Sequence, residues 1–184
     1  RDRFCSFPSW VKIEDPQNLE RFLSQVVVKR IGLDYRRSSI YFFNLLRKLG
    51  VEVIDCKDPC IDRRACKTPQ EQQAMRQAHK RDGVAMVKFL KWFSEQSHKQ
   101  SLSEISVEKK LNHFRAQPQE FKETSFNTIA GYGPNGAIIH YRATQESNLD
   151  IKNGNLLLLD SGAQYQDGTT DITRTLTVGL PTQE

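Results

Sequence analysis

Apolar and polar residues follow two rhythms along this chain, and the change from one to the other sets the predicted elements. From Ser38 to Leu49, Phe42, Phe43, Leu46 and Leu49 recur at helical spacing, so the pattern predicts a helix that Gly50 stops. The β-branched run Val26–Leu33 and the run Val51–Cys56 on either side read as strands. Strand, helix, strand implies parallel pairing through a right-handed crossover. The pattern is weaker ahead of this unit. Trp10–Glu14 reads as a short strand, and Asp15-Pro16 as the cap and first turn of a helix running to about Gln25.

The polar stretch Asp58–Lys67, with Pro59, is the predicted domain boundary. Thr68-Pro69-Gln70-Glu71 is a capping box with proline at the first helical position, opening a helix to about Ser97. Met75, Ala78, Ala85, Phe89 and Phe93 form its predicted buried stripe. Gly83 costs about 1 kcal/mol against alanine in a helix, which predicts close packing at that point. A second helix is predicted from Ser103 to Gln117, capped through Ser101-x-x-Glu104, with Trp92 and Phe114 as core candidates.

Strands follow Pro118. Gly131–Gly136 lacks the Lys-Ser/Thr ending of a phosphate loop and reads as a turn packed close to neighbouring backbone. Ala137–Arg142 is predicted as a strand carrying His140, which spacing alone makes a buried structural histidine. Lys152–Gly154 is predicted as a hairpin turn into Leu156–Leu159, an apolar run that ends on Asp160. Asp167-Gly168 signals another hairpin, returning through Thr169–Val178.

Asp160 and Asp171 carry the candidate chemistry. A carboxylate at the end of a leucine run is costly to bury unless a positive charge meets it, and Arg174 is the one nearby cation in the sequence. A two-residue loop at either Gln166-Asp167 or Asp167-Gly168 puts Asp160 and Asp171 on one sheet face, because side chains alternate with period two. In the first register Asp160 lies opposite Thr173 and diagonal to Asp171, roughly 7–8 Å away. A three-residue loop without a bulge separates the faces. On spacing alone, two ordinary hairpin aspartates fit as well as a metal site.

Composition narrows the class. With 27% charged and 38% hydrophobic residues the chain reads as soluble and globular, and no apolar run approaches the roughly 20 residues of a membrane span. The formal charge of +5 is spread over helix faces rather than one stripe interleaved with aromatics, so no nucleic-acid partner is predicted. The cysteines Cys5, Cys56, Cys60 and Cys66 fit no common zinc spacing and read as free thiols of a cytoplasmic protein. The opening Arg1–Pro8 lacks a signal-peptide pattern and an initiator methionine, and reads as internal sequence.

Three ordered blocks resemble a known family. Leu159–Tyr165 with Asp171–Thr175 resembles the first metal-ligand pair of the pita-bread metallopeptidases, which include methionine aminopeptidases, prolidases and Xaa-Pro aminopeptidases. Ser125–Tyr141 is similar to the segment bearing the substrate-facing histidine of the Xaa-Pro aminopeptidases. Ala78–Trp92 resembles the first long catalytic-domain helix of their large, three-domain form. The likeness covers the chain from about Asp55 onward and, more loosely, the part before it.

The resemblance implies an α/β (α+β) protein. Residues 1–65 would be the C-terminal part of a non-catalytic creatinase-N-like domain, and 66–184 the first half of a pita-bread catalytic domain. It implies a dinuclear centre of divalent ions, manganese first with zinc or cobalt possible, in which Asp160 holds one ion and Asp171 bridges both. Such a centre activates a bridging water towards the scissile carbonyl. His140 would contact substrate or stabilise the tetrahedral intermediate. The implied activity is release of the N-terminal residue from peptides with proline second, in a cytoplasmic homodimer with no membrane or nucleic-acid partner. Alternatives are a prolidase-type dipeptidase and a metal-free pita-bread module that binds proteins or peptides. One departure stands out. The family completes its site with a histidine and two glutamates beyond the aspartate pair, whereas here no histidine follows Asp171 and the one later glutamate is the terminal Glu184. His79, His98 and His113 precede the pair and match none of these ligands. The sequence therefore reads as a piece with two of five ligands, inactive by itself.

Overall fold

The computed structural model describes residues 8–25, 28–97 and 99–180. Cys5, His98, Glu184 and the first two residues of the predicted strand, Val26 and Val27, lie outside the described residues. The chain divides into two compact units, residues 1–66 and 67–184.

In the first unit, a 3-10 turn at Pro16–Asn18 leads into α1 (Leu19–Ser24). The Asp15 carboxylate accepts from the Gln17 N–H at 2.9 Å, so the predicted cap starts the helix. Trp10–Glu14 forms no strand, and Trp10 is 82% exposed, with no buried face to reward an extended segment. β1 (Arg30–Leu33) and β2 (Glu52–Asp55) pair in parallel around α2 (Ile40–Lys48). Ser39 caps α2, and Gly50, at φ +76°, ends it in a conformation that favours glycine. The buried face of α2 is Leu45 and Leu46, while Phe42 is exposed. α3 (Cys60–Ala65) occupies the predicted boundary stretch. Hydrogen bonds hold it rather than an apolar face: Asp58 accepts from the Cys60 N–H, and Lys57 pairs with Asp62. Hydrophobic periodicity cannot report such a helix. Cys56, Cys60 and Cys66 are exposed free thiols.

The second unit begins with α4 (Pro69–Gln96), whose capping box forms as the sequence predicts: Thr68 Oγ1 accepts from the Glu71 N–H, and Glu71 accepts from the Thr68 N–H. Its buried face is Ala78, Asp82, Ala85, Met86, Phe89 and Phe93; Met75 is exposed. Gly83 makes no close contact, because a Cβ there meets nothing within 4 Å. The close packing predicted for it is absent, and Gly83→Ala is expected to raise stability by about 0.5–1 kcal/mol, read by chemical denaturation.

β3 (Leu102–Ser103) leads into α5 (Glu104–Arg115). The cap of α5 is Ser103 with Ser106, not the predicted Ser101 with Glu104. Next come β4 (Phe121–Thr124), β5 (Ile129–Tyr132) and a 3-10 turn at Gly133–Ala137. Gly131 approaches backbone closely, as predicted: a Cβ there would lie 2.8 Å from Gly136 Cα. The remaining strands are β6 (Asp150–Ile151), β7 (Asn155–Ser161), β8 (Ala163–Tyr165), β9 (Gly168–Thr169) and β10 (Ile172–Val178). Two antiparallel sheets run in the orders β10-β7-β5 and β4-β8-β9, and β3 pairs with β6. Lys152–Gly154 turns the chain, but no hairpin results, because β6 pairs with β3 rather than with β7. Helices α4 and α5 cover the first sheet through Phe89, Phe93, Val107 and Leu111 against Leu157 and Leu159. The unit is α+β, as the sequence implies.

Candidate metal centre

One long ribbon carries both candidate aspartates. β7 and β10 pair with Asp160 opposite Thr173 and Ser161 opposite Ile172, and β8 and β9 continue with Gln164 opposite Thr169 and Tyr165 opposite Gly168. The partners keep one register from base to tip, so Gln166-Asp167 is the two-residue loop. That is the first of the two predicted registers, and it sets Asp160 and Asp171 on one face as diagonal neighbours. The ribbon passes from one sheet to the other between Ser161 and Ala163 on one strand and Thr169 and Ile172 on the other. Gly162 permits this crossing. A Cβ there would overlap the Thr170 carbonyl oxygen and Ser125 Oγ.

Asp160 is half-buried and Asp171 exposed. Thr173 Oγ1 donates to Asp160 Oδ1 at 2.8 Å. Among the described residues no cationic side chain pairs with either carboxylate, and Arg174 donates instead to its neighbour's carbonyl, Thr173 O, at 2.7 Å. Two hard oxygen donors on one face, paired with no cation among the described residues, fit part of a divalent-cation site. They do not complete one: among the described residues no group of three or more His, Cys, Asp or Glu side chains could hold a metal ion.

His140 does not lie on a strand. Ala137–Arg142 leaves the 3-10 turn, Tyr141 N–H donates to Ile138 O at 3.2 Å, and His140 takes φ +55° at the tip of that turn. Ile138, Ile139 and His140 are exposed. The segment turns because a buried acid anchors both its ends. Glu104, fully buried at the start of α5, accepts from Tyr132 N–H (2.7 Å), Asn135 Nδ2 (3.0 Å), Tyr141 OH (2.8 Å) and Leu149 N–H (3.0 Å). Burial pushes the Tyr141 phenol above its ordinary pKa, which keeps it a donor. Sequence reasoning took Glu104 for a capping residue, and no local pattern distinguishes the two uses.

A second buried acid lies behind the ribbon. Asp82 and Arg115 are both fully buried and face each other through two bonds, Nε to Oδ1 at 2.7 Å and Nη2 to Oδ2 at 3.0 Å. Asp82 also accepts from Tyr165 OH at 2.9 Å and from Thr170 Oγ1 at 3.0 Å. Burial, reinforced by the Asp82 charge, drives the Tyr165 phenol well above its ordinary range. At the ribbon tip, Arg81 holds Asp167 at 2.9 Å and depresses its carboxyl pKa. An aspartate within a helix stripe is invisible to hydrophobic periodicity, so sequence reading missed the Asp82–Arg115 pair.

The model of metallopeptidase family M24 matches residues 73–184, which include α4 from Gln73 onward, α5 and the whole ribbon. The chain belongs to family M24. Among its relatives in this family, Xaa-Pro aminopeptidase 1 of Dictyostelium discoideum is 40% identical over 182 residues, covering 96% of this chain and 28% of that protein. An X-prolyl aminopeptidase of Caenorhabditis elegans, known as a cytosolic enzyme with a di-nuclear active site, superposes with a TM-score of 0.68. It is 33% identical and covers 72% of this chain and 22% of that one. A Xaa-Pro dipeptidase of Bacillus anthracis superposes with a TM-score of 0.70 at 23% identity, over 90% of this chain and 44% of that one, and so shares the pita-bread fold. This M24 chain thus spans under a third of the length of the Dictyostelium relative.

Proposed function

We propose that the protein is a metal-dependent exopeptidase that releases the N-terminal residue from peptides with proline in second position. One observation carries the reading: the ribbon register presents Asp160 and Asp171 on one face, and among the described residues no cationic side chain pairs with either. Likeness over 96% of the chain to a Xaa-Pro aminopeptidase supports the substrate class. Asp160 and Asp171 would hold two divalent ions, with manganese preferred by the hard carboxylate donors. Bound ions of this kind activate water and polarise the scissile carbonyl. The chain's own contribution is positional. Thr173 orients the Asp160 carboxylate, and Glu104 fixes the turn that offers His140 to a substrate.

Proline in second position removes the amide N–H and fixes the backbone, so selection must come from shape around the ring rather than from a hydrogen bond to that nitrogen. Product analysis separates the readings: release of arginine from Arg-Pro-Pro peptides supports the proposal, and cleavage of Gly-Pro dipeptide alone overturns it in favour of a prolidase. The Bacillus anthracis neighbour is what favours that second reading. A metal-free binding module is opposed by the two intact carboxylates.

The domain reading belongs to the same proposal. Residues 1–65 would close a creatinase-N-like domain and 66–184 form the first half of the catalytic fold, consistent with the division between Cys66 and Lys67. The 184 residues alone are expected to show no turnover, because among the described residues Asp160 and Asp171 have no third candidate ligand beside them, too few donors for two ions. Manganese stoichiometry and turnover of the purified chain check this, and full turnover with two tightly held ions would contradict it. A cytoplasmic homodimer acting on peptides, without membrane or nucleic-acid partners, completes the proposal. Three exposed thiols and the cytosolic Caenorhabditis elegans relative support the location. Among the described residues no helix is long and apolar enough to cross a membrane.

A further inference from the structure

We infer that the buried Asp82–Arg115 pair is a positioning device for the two aspartates, acting through the residue next to each; the inference rests on the metal-site reading above. Asp160 is followed by Ser161, whose carbonyl accepts from Arg115 Nη2 at 3.5 Å. Asp171 is preceded by Thr170, whose hydroxyl donates to Asp82 Oδ2 at 3.0 Å. One ion pair on two helices therefore touches both strands of the ribbon, at the positions flanking its two carboxylates.

The contacts lie where strand pairing gives least support. Thr170 and Asp171 fall between β9 and β10, outside the paired stretches. Side chains take over at this gap. Thr170 Oγ1 accepts from the Ala163 N–H at 3.0 Å while donating to Asp82. The Thr170 carbonyl, on the peptide that leads into Asp171, accepts from Ser125 Oγ at 2.9 Å, and the Thr170 N–H donates to Ala163 O at 2.9 Å. Thr170, the residue before Asp171, is thus fixed through its N–H, its carbonyl and its side chain. Asp82 receives the hydroxyl with an oxygen already locked by Arg115, so the anchor cannot swing. An exposed carboxylate on a strand end gains a defined direction by this route.

The test compares substitutions that cost Asp82 the same number of hydrogen bonds. Thr170→Val removes the link to the ribbon. Tyr165→Phe removes the bond to Asp82 Oδ1 and leaves the Thr170 link intact. Manganese binding to the metal-stripped full-length protein is measured by calorimetry, with thermal stability recorded for each variant. Thr170→Val is expected to weaken manganese binding by about tenfold or more, while Tyr165→Phe and the hydroxyl-preserving Thr170→Ser stay within about threefold of the parent, whatever their loss of stability. If Thr170→Val does not fold, Thr170→Ala, which removes the same link to Asp82, carries the same expectation. Equal weakening by Thr170→Val and Tyr165→Phe would reduce the pair to ordinary core stability and overturn the inference, as would no weakening by Thr170→Val. Asp160→Asn and Asp171→Asn separate the two levels: if they leave manganese binding intact, the metal-site reading itself fails. If they abolish binding and Thr170→Val does not weaken it, only the positioning role fails.

Discussion

Asp82→Ala is expected to destabilise the second unit by about 3–5 kcal/mol, the scale for removing one partner of a buried ion pair. The substitution leaves the Arg115 guanidinium charged and enclosed, with Tyr165 OH and Thr170 Oγ1 also deprived of their acceptor. Arg115 Nη1 already lacks a hydrogen-bond partner among the described residues, and the longer bonds from Arg115 Nη2 to Ser161 O at 3.5 Å and from Thr170 Oγ1 to Ala163 O at 3.4 Å replace little of what the carboxylate supplied. Against a typical total stability of about 5–15 kcal/mol, the loss is severe. Denaturant unfolding followed by circular dichroism reads it. A loss below about 1 kcal/mol would mean that water or a rearranged side chain satisfies Arg115 and that the pair is not the rigid anchor described above.

Gly162→Ala is expected to disable the candidate centre. Its new methyl group would meet the Thr170 carbonyl oxygen and Ser125 Oγ, with the Thr170 carbonyl carbon at 2.9 Å. Ser125 can rotate away, but the Thr170 backbone cannot yield without moving the peptide that precedes Asp171. The strain is relieved only by opening the ribbon where the two carboxylates must converge. Stability should fall by at least about 1–3 kcal/mol, as for overpacking in a filled core. Manganese affinity in the full-length protein should fall with it. Calorimetric titration and an unfolding curve check both effects, and unchanged affinity would show that the crossing point tolerates a wider separation. Gly83→Ala, the same chemical change on a helix face with open space, is expected to do the opposite.

The paired elements were legible because each carries a local signature. The capping box at Thr68–Glu71, the stop at Gly50 and the two-residue loop at Gln166-Asp167 depend on residues adjacent in sequence. For the last of these, spacing allowed a loop at Gln166-Asp167 or at Asp167-Gly168, and the structure takes the first, with Asp160 opposite Thr173. Failures occurred where a distant side chain decides the local path. Ala137–Arg142 has the composition of a strand, yet Glu104, more than thirty positions earlier, ties Tyr141 and Asn135 inward and turns the segment at His140. Asp82 and Arg115 are likewise 33 positions apart, and each alone looks like a solvated helix charge. Gly83 misled for another reason: a helical glycine signals packing only if something packs there, and here nothing does. The candidate site was legible as a pair of carboxylates, whereas its buried supports required the fold.

The central claim is that Asp160 and Asp171 converge to hold divalent ions. Anomalous diffraction at the manganese edge, from crystals of the full-length protein soaked in Mn²⁺, tests it most directly. The account predicts two anomalous peaks, with the Asp160 and Asp171 carboxylates beside them. Carboxylates turned away from each other, with no peak beside either, would contradict it.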